Sequence, residues 1–334
     1  MNIIRQFLKL ESAGGILLLI TVITALLVSN TSLSIVYKNF FTTPFLIRFG
    51  AVSIEKDFLF WINQGLMTLF FLLIGLELKR EFVEGELSDV KKIILPLGAA
   101  LGGMIIPAML YCFVNWHSPA SLKGWPVPVA TDIAFALGAL SCFGKRVPYT
   151  LKLFLLMLAI FDDVGGIIII AFFPGSGIHT SIAGVLLALI VPLPLAKKLE
   201  TVLHPWVAFL IVPLFAFANS GISFAGMSAN VLLSVTTLGI IAGLFLGKQV
   251  GIMSFVWLMI KCNIAKLPTK TDWRAFYGVS ILCGIGFTMS LFLGTLIFGG
   301  NADELAQVRL GVLMGSFLSV TMGMLVLRTV LKKS

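Results

Sequence analysis

The 334 residues are 58% hydrophobic and only 12% charged, with a mean hydropathy of +1.05; soluble domains carry roughly 25% charged residues. That leaves no room for a separate soluble domain and makes the chain a polytopic membrane protein. The net charge of +9 does not point to nucleic acid, because the basic residues fall in short gaps between apolar runs, where lipid headgroups and membrane orientation account for them.

Ten apolar segments follow one another along the chain. Arg5 and Lys9 precede the first, 12–29, in a pattern that imitates a signal peptide. No clear small-residue cleavage site follows, so the segment reads as a retained span. The second, 58–78, ends beside Glu77, where a capping or snorkelling carboxylate fits as well as a functional one. The third is 93–113. The fourth, 125–143, contains Pro126 and Pro128 ahead of Thr131 and Asp132. Proline lacks a donor and disfavours helix in the residue before it, so an extended stretch leads into Asp132.

The fifth segment, 149–173, carries the adjacent carboxylates Asp162 and Asp163 in the middle of a run long enough to cross a bilayer. Charged residues there are costly and mark ion or proton paths. Pro174 to Gly177 (PGSG) forms a turn before the sixth and seventh segments, 180–196 and 206–223. The eighth, 231–260, is too long for one straight span; it reads as interrupted at Gly247 to Gly251 and holds Lys248. The ninth, 275–298, contains Cys283-Gly284-Ile285-Gly286-Phe287-Thr288, whose glycines relax the helix; the tenth is 308–327. Four scattered cysteines show no metal-ligand spacing.

Of the 24 Lys and Arg residues, 18 fall on the side that holds both termini and five on the other, with Lys248 left inside a span. The positive-inside rule places both termini in the cytoplasm. Four ionisable residues remain deep in spans: Asp132, Asp162, Asp163 and Lys248. Consecutive residues on a helix point about 100° apart, so one of Asp162 and Asp163 can pair with Lys248 while the other faces a cavity. Three carboxylates against one ammonium leave two negative charges for protons or a bound cation. A static ion-pair network is the competing structural reading.

Segments three to five start on the cytoplasmic side and segments eight to ten outside, and the broken members, four and nine, are the middle ones of each triplet. This is the layout of an inverted repeat, and unwound backbone in matching places of two halves marks the binding site of a secondary transporter. No GxxxxGK[ST] loop is present, which makes an ion gradient the energy source.

The strings FFLLIGLELKRE (Phe70 to Glu81), PVATDIAFALG (Pro128 to Gly138), AIFDDVGGIIIIA (Ala159 to Ala171), HPWVAFLIVPLFAFANSG (His204 to Gly221), LGIIAGLFLGKQVGI (Leu238 to Ile252) and CGIGFTMSLF (Cys283 to Phe292) resemble the NhaA family of bacterial sodium/proton antiporters. That family is itself one of the examples behind the inverted-repeat generalisation. The resemblance implies an all-α fold with inverted three-helix repeats, two broken crossing helices and a short periplasmic hairpin. It implies an ion-binding core at approximately 93–173 and 231–327, with an interface and scaffold at approximately 1–92 and 174–230.

The resemblance also implies residue roles. Asp163 is the sodium-binding carboxylate, with Asp162 and Thr131 as the other sodium ligands and Asp132 in the same ion-binding and proton-exchange set; Asp162 is also the partner of Lys248. Asp132 and Lys248 compensate the helix ends. Glu77, Arg80, Glu81, Glu200 and His204 form the cytoplasmic pH-responsive funnel, and Leu46 to Asp57 the hairpin through which a homodimer assembles. The implied activity is electrogenic, pH-regulated export of Na+ and Li+ in exchange for H+ at the bacterial inner membrane, with no cofactor and no partner besides lipid and a second copy. The family has about twelve spans; this chain lacks two between Phe173 and His179. That gap leaves open a shortened member that does not transport, and the ten-span count an organic-anion/Na+ symporter of related fold.

Overall fold

A computed structural model describes residues 2–49, 52–85, 87, 90–172, 180–224, 229–269 and 271–331. It contains helices α1 (Asn2–Ser29), α2 (Ser34–Thr42), α3 (Phe58–Glu84), α4 (Val90–Val114), α5 (Ile133–Ser141), α6 (Tyr149–Phe172), α7 (Thr180–Ile190), α8 (Leu193–Ser220), α9 (Val235–Lys261), α10 (Trp273–Leu282), α11 (Phe287–Phe298) and α12 (Ala302–Val330). Two strands, β1 (Pro44–Phe49) and β2 (Val52–Asp57), pair antiparallel from Pro44 with Asp57 to Phe49 with Val52. Among the described residues, seven helical stretches are long and apolar enough to cross a membrane, with α10 and α11 counted as one; α1 and α2, bent by 109° at their junction, give an eighth. The chain is an all-α, multi-pass membrane protein with a β-hairpin. The PGSGIH segment, 174–179, read above as the external turn between the fifth and sixth spans, lies outside the described residues.

The described helices pack in two groups. In one, α4 lies along α9, α6 along α4, and α12 against α9, α10 and α11; in the other, α3 lies along α7 and α8; α1 bridges them, packing on α5 and on α8. Opposite faces of α4 and α9 meet in antiparallel order: Gly98 lies by Met259, Gly102 by Gly251, and Gly103 by Ile252. The first helices of the two triplets thus run in opposite senses, which is the inverted arrangement. A Cβ on Gly251 would sit 2.1 Å from the Gly102 carbonyl oxygen, so the two backbones touch as small-residue packing allows in membranes.

These contacts correct one sequence expectation. Gly247 to Gly251 does not interrupt the eighth span; α9 is continuous from Val235 to Lys261, with one wide π turn at Ala242–Gly247. The glycines admit the neighbour, since a Cβ on Gly247 would lie 2.7 Å from the Pro107 Cα. We expect Gly251→Ala to lower the Tm in detergent, by separating α4 from α9 at about 1–3 kcal/mol of overpacking; an unchanged Tm would show that the helices yield there.

A second correction concerns segments six and seven. The sequence placed their boundary between 196 and 206, but α7 stops at Ile190 and α8 begins at Leu193. Pro192, which disfavours helix at Val191, makes the break, and Lys79 Nζ donates to the freed carbonyls of Leu189 and Val191 at 2.7 and 2.6 Å. Lys197 and Lys198 therefore lie inside α8, not in the link between the sixth and seventh spans. α7 runs parallel to α3: Gly184 faces Thr68 and Ala188 faces Gly75, and Lys79 closes its end.

Candidate functional site

Both middle members of the triplets are broken where the sequence places proline or glycine. A single 3-10 turn, Val127–Val129, leads through extended Ala130 to Asp132 and α5. The other chain leaves α10 at Cys283 and restarts as α11 at Phe287. The two gaps cross and share their unused backbone groups. The Asp132 amide donates to the Ile285 carbonyl at 2.6 Å, and Ser290 Oγ donates to the Val127 carbonyl at 2.6 Å. Gly286 permits the crossing, since a Cβ there would sit 2.7 Å from the Ala130 oxygen.

Asp132 sits at the start of two helices. Its Oδ1 accepts from the Phe135 amide at 3.0 Å, capping α5. Its Oδ2 accepts from the Thr288 amide at 3.0 Å and the Thr288 hydroxyl at 2.7 Å, at the start of α11. Helix N-termini carry partial positive charge, so both helix starts help to compensate this carboxylate. The sequence reading picked out the glycine-rich break but missed Thr288, whose place two residues past Gly286 at a helix start was the available signal. Thr288→Val should destabilise the protein by about 1–3 kcal/mol through an unmet buried acceptor. Thr288→Ser should keep the parent Tm, and equal loss in both variants would remove the hydroxyl from this account.

Halfway along α6, Asp162 and Asp163 point in different directions. Asp162 is fully buried, and its Oδ2 accepts from Lys248 Nζ at 2.5 Å and from the Thr131 hydroxyl at 2.7 Å. Lys248 is also fully buried and, among the described residues, Asp162 is its only hydrogen-bond partner. Thr131 Oγ1 lies 2.8 Å from the Cys283 carbonyl, at the negative end of α10. Asp163 instead lines a cavity of about 60 Å³, together with Thr131, Asp132, Thr288, Glu77 and His204. One water needs about 10–15 Å³ by this measure, so the space suits a partly hydrated small cation.

The cavity lies between the two helix groups, with α3 and α8 on one wall and the crossing segments and α6 on the other. Glu77 and His204 stand at its Lys- and Arg-rich end, with Glu77 Oε1 3.9 Å from His204 Nε2. Beyond them, Arg80 Nε donates to both Glu200 oxygens at 2.9 Å, and Arg80 Nη1 lies 2.8 Å from Glu81 Oε1. The five residues grouped by the sequence as a funnel thus form one charged cluster along the facing sides of α3 and α8. The hairpin carries Phe45, Leu46 and Ile54 exposed on the other side of the molecule.

A sequence model described as Na+/H+ antiporter 1 matches residues 5–175 and 173–327. The chain belongs to this family. It is 46% identical to "Na(+)/H(+) antiporter NhaA 1" of Syntrophotalea carbinolica, over 99% of this chain and 97% of the relative. It is 44% identical to an NhaA antiporter of Pseudomonas putida, covering 96% of each, and 46% identical to one of Psychrobacter arcticus, covering 98% and 95%. The first alignment extends over 383 positions while this chain has 334 residues, so at least 49 positions (383 less 334) face a gap. Two spans of about 20 residues with their loops account for such a length. The two family matches meet at 173–175, between α6 and α7, where the sequence resemblance put the missing pair.

Proposed function

We propose that this chain is a secondary antiporter that exports Na+, and Li+ with it, in exchange for H+. The observation that carries the reading is the placement of Asp163, a carboxylate buried in the middle of a span that lines a cavity with room for an ion, beside Thr131 and Asp132. A sodium ion and a proton both neutralise that carboxylate, and they exclude one another from it. Thr131 and Asp132 supply further oxygen ligands beside Asp163. Exchange follows when the site, loaded on one face, is presented to the other.

Asp162 and Lys248 add the second part of the cycle. Cation binding beside the pair changes its balance, and loss of a proton from the pair makes the exchange electrogenic, with more protons than sodium ions moved. The Glu77, Arg80, Glu81, Glu200 and His204 cluster at the cavity mouth is the pH-responsive element, because its charges set the field on the path to Asp163. The Lys and Arg bias supports a cytoplasmic location for that mouth and for both termini, in the bacterial inner membrane. The hairpin at 46–57 presents the surface for a homodimer. The missing spans lie on the α7 and α8 side, away from the crossing segments. Sodium-induced proton movement in everted membrane vesicles tests the reading: a sodium pulse should collapse a respiration-generated pH gradient, and vesicles indistinguishable from those lacking the protein would overturn it.

A further inference from the structure

Glu77 and His204 lie at one end of the cavity, and beyond its other end the two cavity walls meet in direct contact. One stripe of α8 runs between these ends: His204 and Ala208 line the cavity, then Val212, then Phe215, then Asn219 near the helix end. This spacing of three or four residues keeps them on one helix face. Beyond the cavity the contact has two layers. The first is aromatic: Phe292 on α11 lies 5.1 Å from Phe71 on α3 and 6.3 Å from Phe215, ring centre to ring centre, and all three are buried.

The second layer is polar and contains a cation. Arg309 on α12 donates from Nη2 to Asn219 Oδ1 at 3.4 Å. Asn219, fully buried, donates to Asn63 Oδ1 on α3 at 2.7 Å and to the Phe215 carbonyl at 3.0 Å. Tyr37 on α2 donates to the Phe217 carbonyl at 2.5 Å in the same last turn of α8. Among the described residues no carboxylate pairs with Arg309, and its Nε is buried without a hydrogen-bond partner. A guanidinium whose Nε is buried and unbonded, with no carboxylate partner among the described residues, is costly to hold in place. The C-terminal end of α8, with its partial negative charge, is what holds it there.

We propose that Arg309, docked on Asn219, which Asn63 holds in place, is the latch and cation barrier that shuts the ion path on the face opposite Glu77 and His204. This rests on the antiporter reading. Arg309 belongs to the helix group that carries the crossing segments, and Asn219 and Asn63 to the group that forms the other cavity wall. Moving one group past the other to open the opposite face must part Arg309 from Asn219. While docked, its charge repels a sodium ion approaching from that side; once undocked, it gains water in place of a long hydrogen bond, so the latch opens at low cost.

The test uses Met289→Cys, which places a thiol in the cavity wall, in a chain with Cys112, Cys142, Cys262 and Cys283 replaced by alanine. A membrane-impermeant thiol reagent is applied from each face in turn, in right-side-out and everted vesicles. With Arg309 present, reaction from the Glu77 and His204 face should dominate. Arg309→Gln should raise the rate from the opposite face at least about fivefold, the lower end of ordinary coupling between sites. Asn219→Ala should act the same way and keeps every charge, so it decides the matter if Arg309→Gln does not fold. In reconstituted liposomes the apparent KM for sodium should rise on the cavity face and fall on the other, because the face-accessible fraction sets apparent affinity. Unchanged labelling from both faces in the variants, or slowed transport with both KM values unchanged, would overturn the latch. The labelling needs no transport, so a parent chain that moves no sodium removes the antiporter reading while the latch is still decided.

Discussion

Asp163→Asn should abolish sodium-driven proton movement and leave the protein inserted and folded. The amide keeps the shape of the side chain, but it can neither hold a cation by charge nor take up and release a proton. The change also removes a carboxylate buried in the middle of a span, and ionised side chains at the centre of a span cost about 2.5–3.5 kcal/mol on insertion scales. The Tm of the variant in detergent should therefore equal or exceed that of the parent. Loss of activity with a retained or raised Tm separates a role in exchange from a role in folding. Parent-level exchange by the variant in vesicles would move the ion site elsewhere.

Lys248→Ala should lower stability strongly, because it leaves Asp162 buried among Thr131 and the α10 end with no counter-charge. Breaking one side of a buried ion pair costs about 3–5 kcal/mol. Asp162→Asn should be damaging in the mirror sense, stranding the ammonium. The double variant Asp162→Asn/Lys248→Gln replaces the pair with two amides that hydrogen-bond each other, and it should recover part of the loss. Residues in direct contact show coupling energies of about 0.5–3 kcal/mol, and the 2.5 Å contact between Lys248 and Asp162 puts this pair among them. Thermal unfolding in detergent of the parent, Asp162→Asn, Lys248→Gln and the double variant supplies the cycle. A double variant whose loss equals the sum of the two single losses would mean the residues do not act as partners.

Much of this architecture was legible because the membrane simplifies the reading. Apolar runs, prolines at 126 and 128, and glycines at 284 and 286 locate the spans and their breaks, since backbone groups freed inside a bilayer need partners nearby. Four buried charges then stand out against a chain of low charge. The geometry of the crossing was not legible. That Asp132 serves two helix starts depends on Thr288 lying opposite it, and no spacing in one chain fixes a contact between residues 156 positions apart.

Where the reading failed, local signals had two meanings. Gly247 and Gly251 look like breaks, yet in α9 they are clearances for Pro107 and Gly102. Lys197 and Lys198 look like the end of a span, yet the stronger signal was Pro192, with Lys79 arriving from α3 to close the helix. Arg309 passed unnoticed as one of five basic residues on the sparsely charged side. Only the fold shows that its guanidinium turns inward to Asn219.

The central claim is that a family member with a gap of two spans still carries out exchange. Purified protein reconstituted into liposomes with an acidic interior, given radioactive sodium outside, measures it directly. The account predicts sodium accumulation that requires the pH gradient, is accompanied by proton efflux, and vanishes in Asp163→Asn. Folded protein that binds sodium but accumulates none across the membrane under that gradient would contradict it.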